Sequence, residues 1–272
     1  MKKSILGIDS HAHVFLKNLP HAEQRRYTPD YDATPDEYFT CLASAGFSHG
    51  VLVQPSFLGT DNSYLLAALA SAPDRLRGVA VIGPEHSMAE LEEMRAQGVT
   101  GVRLNLIGQQ NPDIRDRNFH VAMEKVASLG WHVELHQTAS HIPELVRRLL
   151  PYEVTVVVDH FGRPDLTPAA GSETLDSLLA LSRYNNIMVK ASGLYRLCQG
   201  GADGNQTVRE MFRLFIDAFS KHRLLIGSDW PHTQFEKEAR YQTVMAELMA
   251  LASSHHAANE MTVTNACALY KF

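Results

Sequence analysis

The chain has 272 residues, 45% hydrophobic and 20% charged, which is enough to bury a large core and excludes a disordered or collagen-like polymer. A formal net charge of −5 supplies no global field to gather nucleic acid or an anionic membrane, so any anion must be held by local arginines. Cys41, Cys198 and Cys267 lie far apart without C-x-x-C spacing, which points to neither a disulfide framework nor a zinc ribbon.

Lys2-Lys3 precedes an apolar run too short for a secretory signal core, and no later segment reaches the apolar length of a membrane span; the expected compartment is the cytoplasm. Eight apolar, mostly β-branched runs follow at 5–9, 49–54, 78–82, 101–105, 131–136, 154–159, 187–191 and 223–228, each ending in polar or small residues. Helical patterns separate them. The first starts sharply, because Thr34-Pro35-Asp36-Glu37 supplies a capping box, a proline at the first helical position and acid in the first turn; it should end by Gly46. An alanine- and leucine-rich helix from Asn62 to Ala72 stops at Pro73, and an amphipathic one from Ser87 to Gln97 ends at Gly98. Further helices are expected near 116–129, 141–150, 172–183, 206–222, 237–253 and 259–270. Strand and helix alternating eight times over about 250 residues predict an α/β (β/α)₈ TIM barrel, built as a single domain over 1–272. A doubly wound open sheet would more often place a glycine-rich turn after the first strand, where this chain has histidines. The long irregular stretches 14–33 and 193–205 both follow strands on the active face, as lids or pocket walls do.

In a barrel the C-terminal ends of the strands converge on one mouth. The first run ends in Asp9-Ser10-His11-Ala12-His13, and alternation along a strand sends both histidines to one face. The fourth brings Arg103 and Asn105, the fifth His136, the sixth Asp159, His160 and Arg163, the seventh Lys190, Ser192, Tyr195 and Arg196, and the eighth Asp229 and His232. Of the 14 histidines, His11, His13, His136, His160 and His232 sit on or just past a strand end, which gathers them at one cavity. Each group also has a structural alternative: a hydrogen bond beneath the mouth for His160, a helix N-cap for Asp229, a salt bridge lining the barrel for Arg103.

These motifs resemble the amidohydrolase superfamily: Asp-x-His-x-His on the first strand, His on the fifth and sixth, Gly227-Ser228-Asp229-Trp230-Pro231 on the last. The finer wording, Val53-Gln54-Pro55-Ser56, Gly101-Val102-Arg103-Leu104-Asn105, Asp159-His160-Phe161-Gly162-Arg163-Pro164 and Lys190-x-Ser192-Gly193, is similar to its 2-pyrone-4,6-dicarboxylate lactonase branch along essentially the whole chain. The resemblance implies hydrolysis of a small-molecule lactone, which needs a nucleophilic water, a polarised carbonyl and a proton for the departing alkoxide. Asp229 is the expected general base; an ordinary aspartate, with a pKa of about 3.9, is a weak base, so position and desolvation must contribute. His11, His13 and His160 are expected to donate toward the carbonyl oxygen. The same four side chains could hold one zinc ion with an open position. The resemblance implies metal-independent catalysis instead, and His136 closes the fifth strand where binuclear relatives carry a bridging lysine.

Carboxylate recognition falls to guanidinium groups, which grip both oxygens at once. Arg103 and Arg196 lead, Arg163 is third, Ser56, His136 and Tyr195 are polar contacts, and Tyr27 and Tyr31 descend from the first loop. One departure from the branch counts against a dicarboxylate: where another arginine is expected soon after Arg103-x-Asn105, this chain has Gln109 and Gln110. Two other readings are a metal-dependent decarboxylase using a similar His-x-His, further His and late Asp, and a non-catalytic ligand-binding barrel.

Overall fold

Runs rich in valine, isoleucine and leucine, apolar on both faces, fold as parallel strands covered by helices. The computed structural model describes residues 4–113, 115–166, 172–197 and 202–272. In it the strands β1 (Ile8–Ala12), β2 (His49–Val53), β3 (Leu76–Ala80), β4 (Val99–Asn105), β5 (His132–His136), β6 (Val156–Val158), β7 (Ile187–Ala191) and β8 (Leu224–Ile226) stand in chain order, each pair of neighbours parallel. Parallel neighbours need crossovers, supplied by α1 (Pro35–Ser44), α2 (Ser63–Ser71), α3 (Met88–Ala96), α4 (Arg117–Ser128), α5 (Ile142–Leu149), α6 (Glu173–Leu179) and α7 (Ala202–Phe219). After β8 come α8 (Tyr241–Ser254) and, beyond a π turn at Glu260–Thr264, α9 (Asn265–Tyr270). The expected (β/α)₈ barrel is the fold. The capping box is present as read: Glu37 N donates to Thr34 Oγ1 at 3.3 Å and Thr34 N to Glu37 Oε2 at 2.8 Å. Part of the 193–205 loop and Cys198 lie outside the described residues, and Cys41 and Cys267 are free thiols.

Several strands sit off their apolar runs. The first run was placed at 5–9, but β1 begins at Ile8, since Leu6 lies exposed below the barrel, and it extends through the polar Asp9-Ser10-His11. β3 and β4 each begin two residues before the expected start, and β6 begins two residues after it. The physical reason is common to them: the ladder runs where the backbone is paired, whether the side chain facing inward is apolar or polar.

Most inward-facing side chains follow a period of two. Glu134 and His136 on β5, Arg103 and Asn105 on β4 and Lys190 on β7 alternate with Val133, Leu135, Val102, Val189 and Ala191 of the outer core. β1 breaks this period. Three steps along it match two along β2 between Asp9 and Ala12, a one-residue bulge, so Ile8 joins the inner apolar cluster while Ala12 joins the outer one. Val51, Val79, Val157, Leu225 and Tyr270 fill that inner cluster and plug the floor of the barrel.

The seam between β8 and β1 is closed past the end of β8. Asp229 N donates to His11 O at 2.8 Å and His13 N to Trp230 O at 2.7 Å. Below these bonds the Asp9 carboxylate accepts from Ser228 N (2.8 Å) and Ser228 Oγ (2.6 Å), taking the place of ladder bonds. The strands approach so closely that a Cβ on Gly227 would lie 2.5 Å from His11 Cβ and 2.9 Å from His11 N. Glycine is therefore required there.

Candidate active site

The seam fixes the two histidines and the aspartate against each other, because Asp229 and His13 are held by the same pair of backbone bonds. Asp229 is buried, with a left-handed φ of 62°, a conformation that costs energy for a residue with a side chain and turns its carboxylate into the mouth. Its Oδ2 accepts from Tyr195 OH and from Arg196 Nε, both at 2.7 Å. Its Oδ1 is left facing His13 Nε2 at 3.5 Å and His11 Nε2 at 3.8 Å. Burial pushes the Asp229 carboxyl up, but the Arg196 guanidinium and the histidines outweigh it and hold the group well below the usual carboxylate range. It is a carboxylate with one oxygen committed and one oxygen available.

The imidazoles are oriented from behind. His13 Nδ1 lies 2.7 Å from Val53 O, and His160 Nδ1 lies 2.8 Å from Ser192 Oγ. His160 has a left-handed φ of 54°, and its ring abuts Gly193, where a Cβ would come within 3.0 Å of Nδ1. His11 Nδ1 sits 3.1 Å from Lys190 Nζ and 3.5 Å from Asp159 Oδ1, while its Nε2 has no hydrogen-bond partner among the described residues. Burial, ahead of the neighbouring charges, depresses His160 to about 3 and holds His11 and His136 well below the usual imidazole value. The Lys190 ammonium adds to the effect on His11.

Beneath the histidines lies a buried ionic layer, of which motif reading named Arg103, Asp159 and Lys190 but not Glu134. Lys190 Nζ donates to Glu134 Oε1, which also accepts from Tyr270 OH (3.2 Å) and lies 3.3 Å from His132 Nε2. Asp159 accepts from Arg103 Nε at 2.9 Å. Burial raises both carboxyls, but Lys190, joined by Arg103 at Asp159, brings each of them below its ordinary value. The signal for Glu134 was available: it stands two residues from both His132 and His136, on the face that lines the barrel.

Above the histidines opens a cavity of about 200 Å³, bordered by His13, Asp229 and His160, and by Arg26, Arg103, Arg163 and Arg196. Ser56 and His136 also border it, as expected. Tyr195 is not among the residues that border it; its hydroxyl donates to Asp229 Oδ2. Tyr27 reaches the cavity, whereas Tyr31 packs on Phe15, and both donate to Glu236 Oε1 (2.9 and 2.8 Å), tying the β1–α1 loop to the segment before α8. Arg26 was not expected. It lies in an irregular loop with no periodicity to mark its direction.

Ligand-type atoms of His11, His13 and Asp229 all lie within 4.8 Å of one another, as do those of His11, Asp159 and His160. Either triplet has spacing that could hold a metal ion, and the four-residue set read from sequence divides between them, with His11 shared.

A (β/α)₈ barrel with paired histidines on its first strand and an aspartate after its last defines a class, and the amidohydrolase family profile matches residues 8–272. The chain belongs to the amidohydrolase family. Within it the chain falls in the 2-pyrone-4,6-dicarboxylate hydrolase-like branch: it is 32% identical to the 2-pyrone-4,6-dicarboxylate hydrolase of Comamonas testosteroni, over 97% of this chain and 90% of that one. It is 30% identical to the 4-sulfomuconolactone hydrolase of Hydrogenophaga intermedia, over 84% and 75%. A crystal structure from Pseudomonas putida assigned as a 2-pyrone-4,6-dicarboxylic acid hydrolase superposes with a TM-score of 0.91 at 44% identity, covering 99% of this chain and 98% of that one.

Proposed function

We propose that this chain hydrolyses a carboxylated lactone, with Asp229 as base and without a resident metal ion. The observation that carries the reading is the divided Asp229 carboxylate, with Oδ2 fixed by Arg196 and Tyr195 and Oδ1 open to the cavity 3.5 Å from His13 Nε2. The lactone hydrolases among its relatives support the reaction class.

The proton inventory assigns roles. The Val53 carbonyl only accepts, so His13 carries hydrogen on Nδ1 and, when neutral, offers a lone pair at Nε2. A water between His13 and Asp229 gives one hydrogen to each and turns its own lone pair toward the substrate carbonyl carbon. His13 is thus a co-acceptor, where a donor was expected from the sequence. Lys190 has only hydrogens to give, so His11 accepts at Nδ1 and carries its hydrogen on Nε2, which lies beneath the cavity 3.8 Å from Asp229 Oδ1. Neutral His160, with the Ser192 hydroxyl on Nδ1, presents its Nε2–H to the cavity. This hydrogen meets the carbonyl oxygen as charge grows on it. Attack forms the new C–O bond and moves a water proton to Asp229 Oδ1. Collapse breaks the ring C–O bond, and Asp229 returns that proton to the departing oxygen.

The spacing suits zinc, whose tetrahedral ligands lie about 3.3 Å apart at ordinary bond lengths. The donor set does not, because His11 points a hydrogen at the site and Arg196 already opposes the Asp229 charge. The cytoplasm is the compartment we propose, from the cysteine usage.

A chelator-treated preparation should open pyrone and muconolactone carboxylates, read as loss of ring absorbance together with release of one acid equivalent. Carbon dioxide among the products would favour the decarboxylase reading, loss on chelation with recovery on zinc would overturn the metal-free assignment, and tight ligand binding without turnover would favour a binding barrel.

A further inference from the structure

His11 Nδ1 faces two groups that ask opposite things of it. Lys190 Nζ, at 3.1 Å, can only donate, which puts the His11 hydrogen on Nε2. The ionised Asp159 Oδ1, at 3.5 Å, can only accept, which would draw that hydrogen to Nδ1. Asp159 Oδ1 has no hydrogen-bond partner among the described residues, so it can take either the imidazole N–H or the ammonium, which lies 3.6 Å from it. Whichever neighbour engages Nδ1 decides what Nε2 turns toward Asp229 Oδ1, 3.8 Å away: a hydrogen or a lone pair.

Glu134 weights this balance. It is fully buried on β5 and does not border the cavity. Its Oε1 accepts from Lys190 Nζ, with Tyr270 OH at 3.2 Å and His132 Nε2 at 3.3 Å, while Oε2 has no hydrogen-bond partner among the described residues. The three groups on Oε1 fix that oxygen against the ammonium. Asp159 already has Arg103 Nε at 2.9 Å, so Glu134, the nearer of the two carboxylates to Lys190, is the counterion of the lysine and draws it off Asp159.

We propose that Glu134 is a positioning residue for the hydrolysis: by keeping the Lys190 ammonium against His11 Nδ1, it keeps the His11 hydrogen on Nε2, facing the open oxygen of the Asp229 base. Its part in turnover rests on the lactonase reading; its control of the tautomer does not. Glutamine has the shape of glutamate and still offers Lys190 an oxygen, but it carries no charge. In Glu134→Gln the ammonium is drawn to Asp159, and His11 Nδ1, released from its donor, gives its hydrogen to the same carboxylate. Nε2 then sets a lone pair against Asp229 Oδ1. Two acceptors facing each other displace the oxygen that takes the proton from water.

The test uses chelator-treated protein, isotope-labelled at its histidine nitrogens and read by nitrogen NMR. Wild type should show His11, assigned by difference from a His11→Gln sample, with hydrogen on Nε2 and a bare Nδ1; Glu134→Gln should exchange the two. Hydrogen on Nδ1 in the wild type, or an unchanged His11 in Glu134→Gln, would overturn the proposal. The wild-type spectrum decides even if the variant does not fold. On a carboxylated lactone, Glu134→Gln should lower kcat about 10–100-fold, the usual effect of losing a partner that stands behind an imidazole. KM should stay within threefold, because Glu134 does not border the cavity. The double variant Glu134→Gln/Lys190→Met should be no slower than Lys190→Met, since the path runs through Lys190; losses that multiply would show Glu134 acting by another route and overturn the assignment. A wild type that opens no lactone would end the hydrolase reading, while the histidine spectrum would still judge whether Glu134 sets the tautomer.

Discussion

Asp229→Asn separates the proposed base from the scaffold that holds it. Arg196 Nε and Tyr195 OH both donate to Oδ2 at 2.7 Å, so the asparagine carbonyl must take that position; an amide nitrogen there would face two donors. The NH₂ then replaces Oδ1, 3.5 Å from the His13 Nε2 lone pair, and donates where the carboxylate accepted. The water loses its base and the variant gains a competing donor. Removing a general base costs about 10²–10⁴ in kcat, roughly 2.7–5.5 kcal/mol of barrier. The fold loses only the charged character of two hydrogen bonds, about 1–2 kcal/mol, a fall of several degrees in Tm for a chain of this size. Turnover followed by ring absorbance, alongside a calorimetric melt, reads the two effects separately. A folded Asp229→Asn enzyme turning over within threefold of wild type would refute the assignment of the base.

Acidification should unfold the protein well before its carboxylates protonate. Burial lowers His11 and His136, takes His160 to about 3 and His232 to about 4, so each stays neutral in the folded chain while the unfolded chain binds a proton. Stability is then full above about pH 6.5 and falls by up to about 1.4 kcal/mol per pH unit for each imidazole as pH drops toward its folded value. The lowered carboxyls Asp159 and Asp229 add their own loss only below about pH 4. Melts between pH 7.5 and 5 should show a steadily falling Tm, and a constant Tm would contradict the neutral histidines. Gly227→Ala drives a Cβ to 2.5 Å from His11 Cβ, so it should cost about 1–3 kcal/mol and displace His11, cutting turnover at least tenfold. Unchanged melting and turnover would show that the seam can widen.

Much of the site was legible because barrel geometry turns sequence position into spatial position: a polar residue that ends a buried strand has one place to go. His11, His13, His160, Arg103 and Asp229 converge for that reason. Strand ends do not report hydrogen-bond partners, however. That the Tyr195 hydroxyl donates to Asp229, and that His13 Nδ1 faces the Val53 carbonyl, could not be read from the motifs. Asp9 carried the motif without showing its task, which is to close the β1–β8 seam through Ser228.

The sequence by itself determined the alternation of strand and helix, the barrel, and the chemical inventory of its mouth, because periodicity and end-of-strand residues are local properties of the chain. Tertiary structure alone decided which charges cancel. The pairing of Lys190 with Glu134, of Arg103 with Asp159 and of Arg196 with Asp229 spans 56, 56 and 33 residues of chain. The approach of Arg26 to the cavity depends on an irregular loop pinned at distant points. Ion pairing falls with distance through space and is indifferent to distance along the chain, so the net charge the cavity offers a ligand exists only once the barrel has closed.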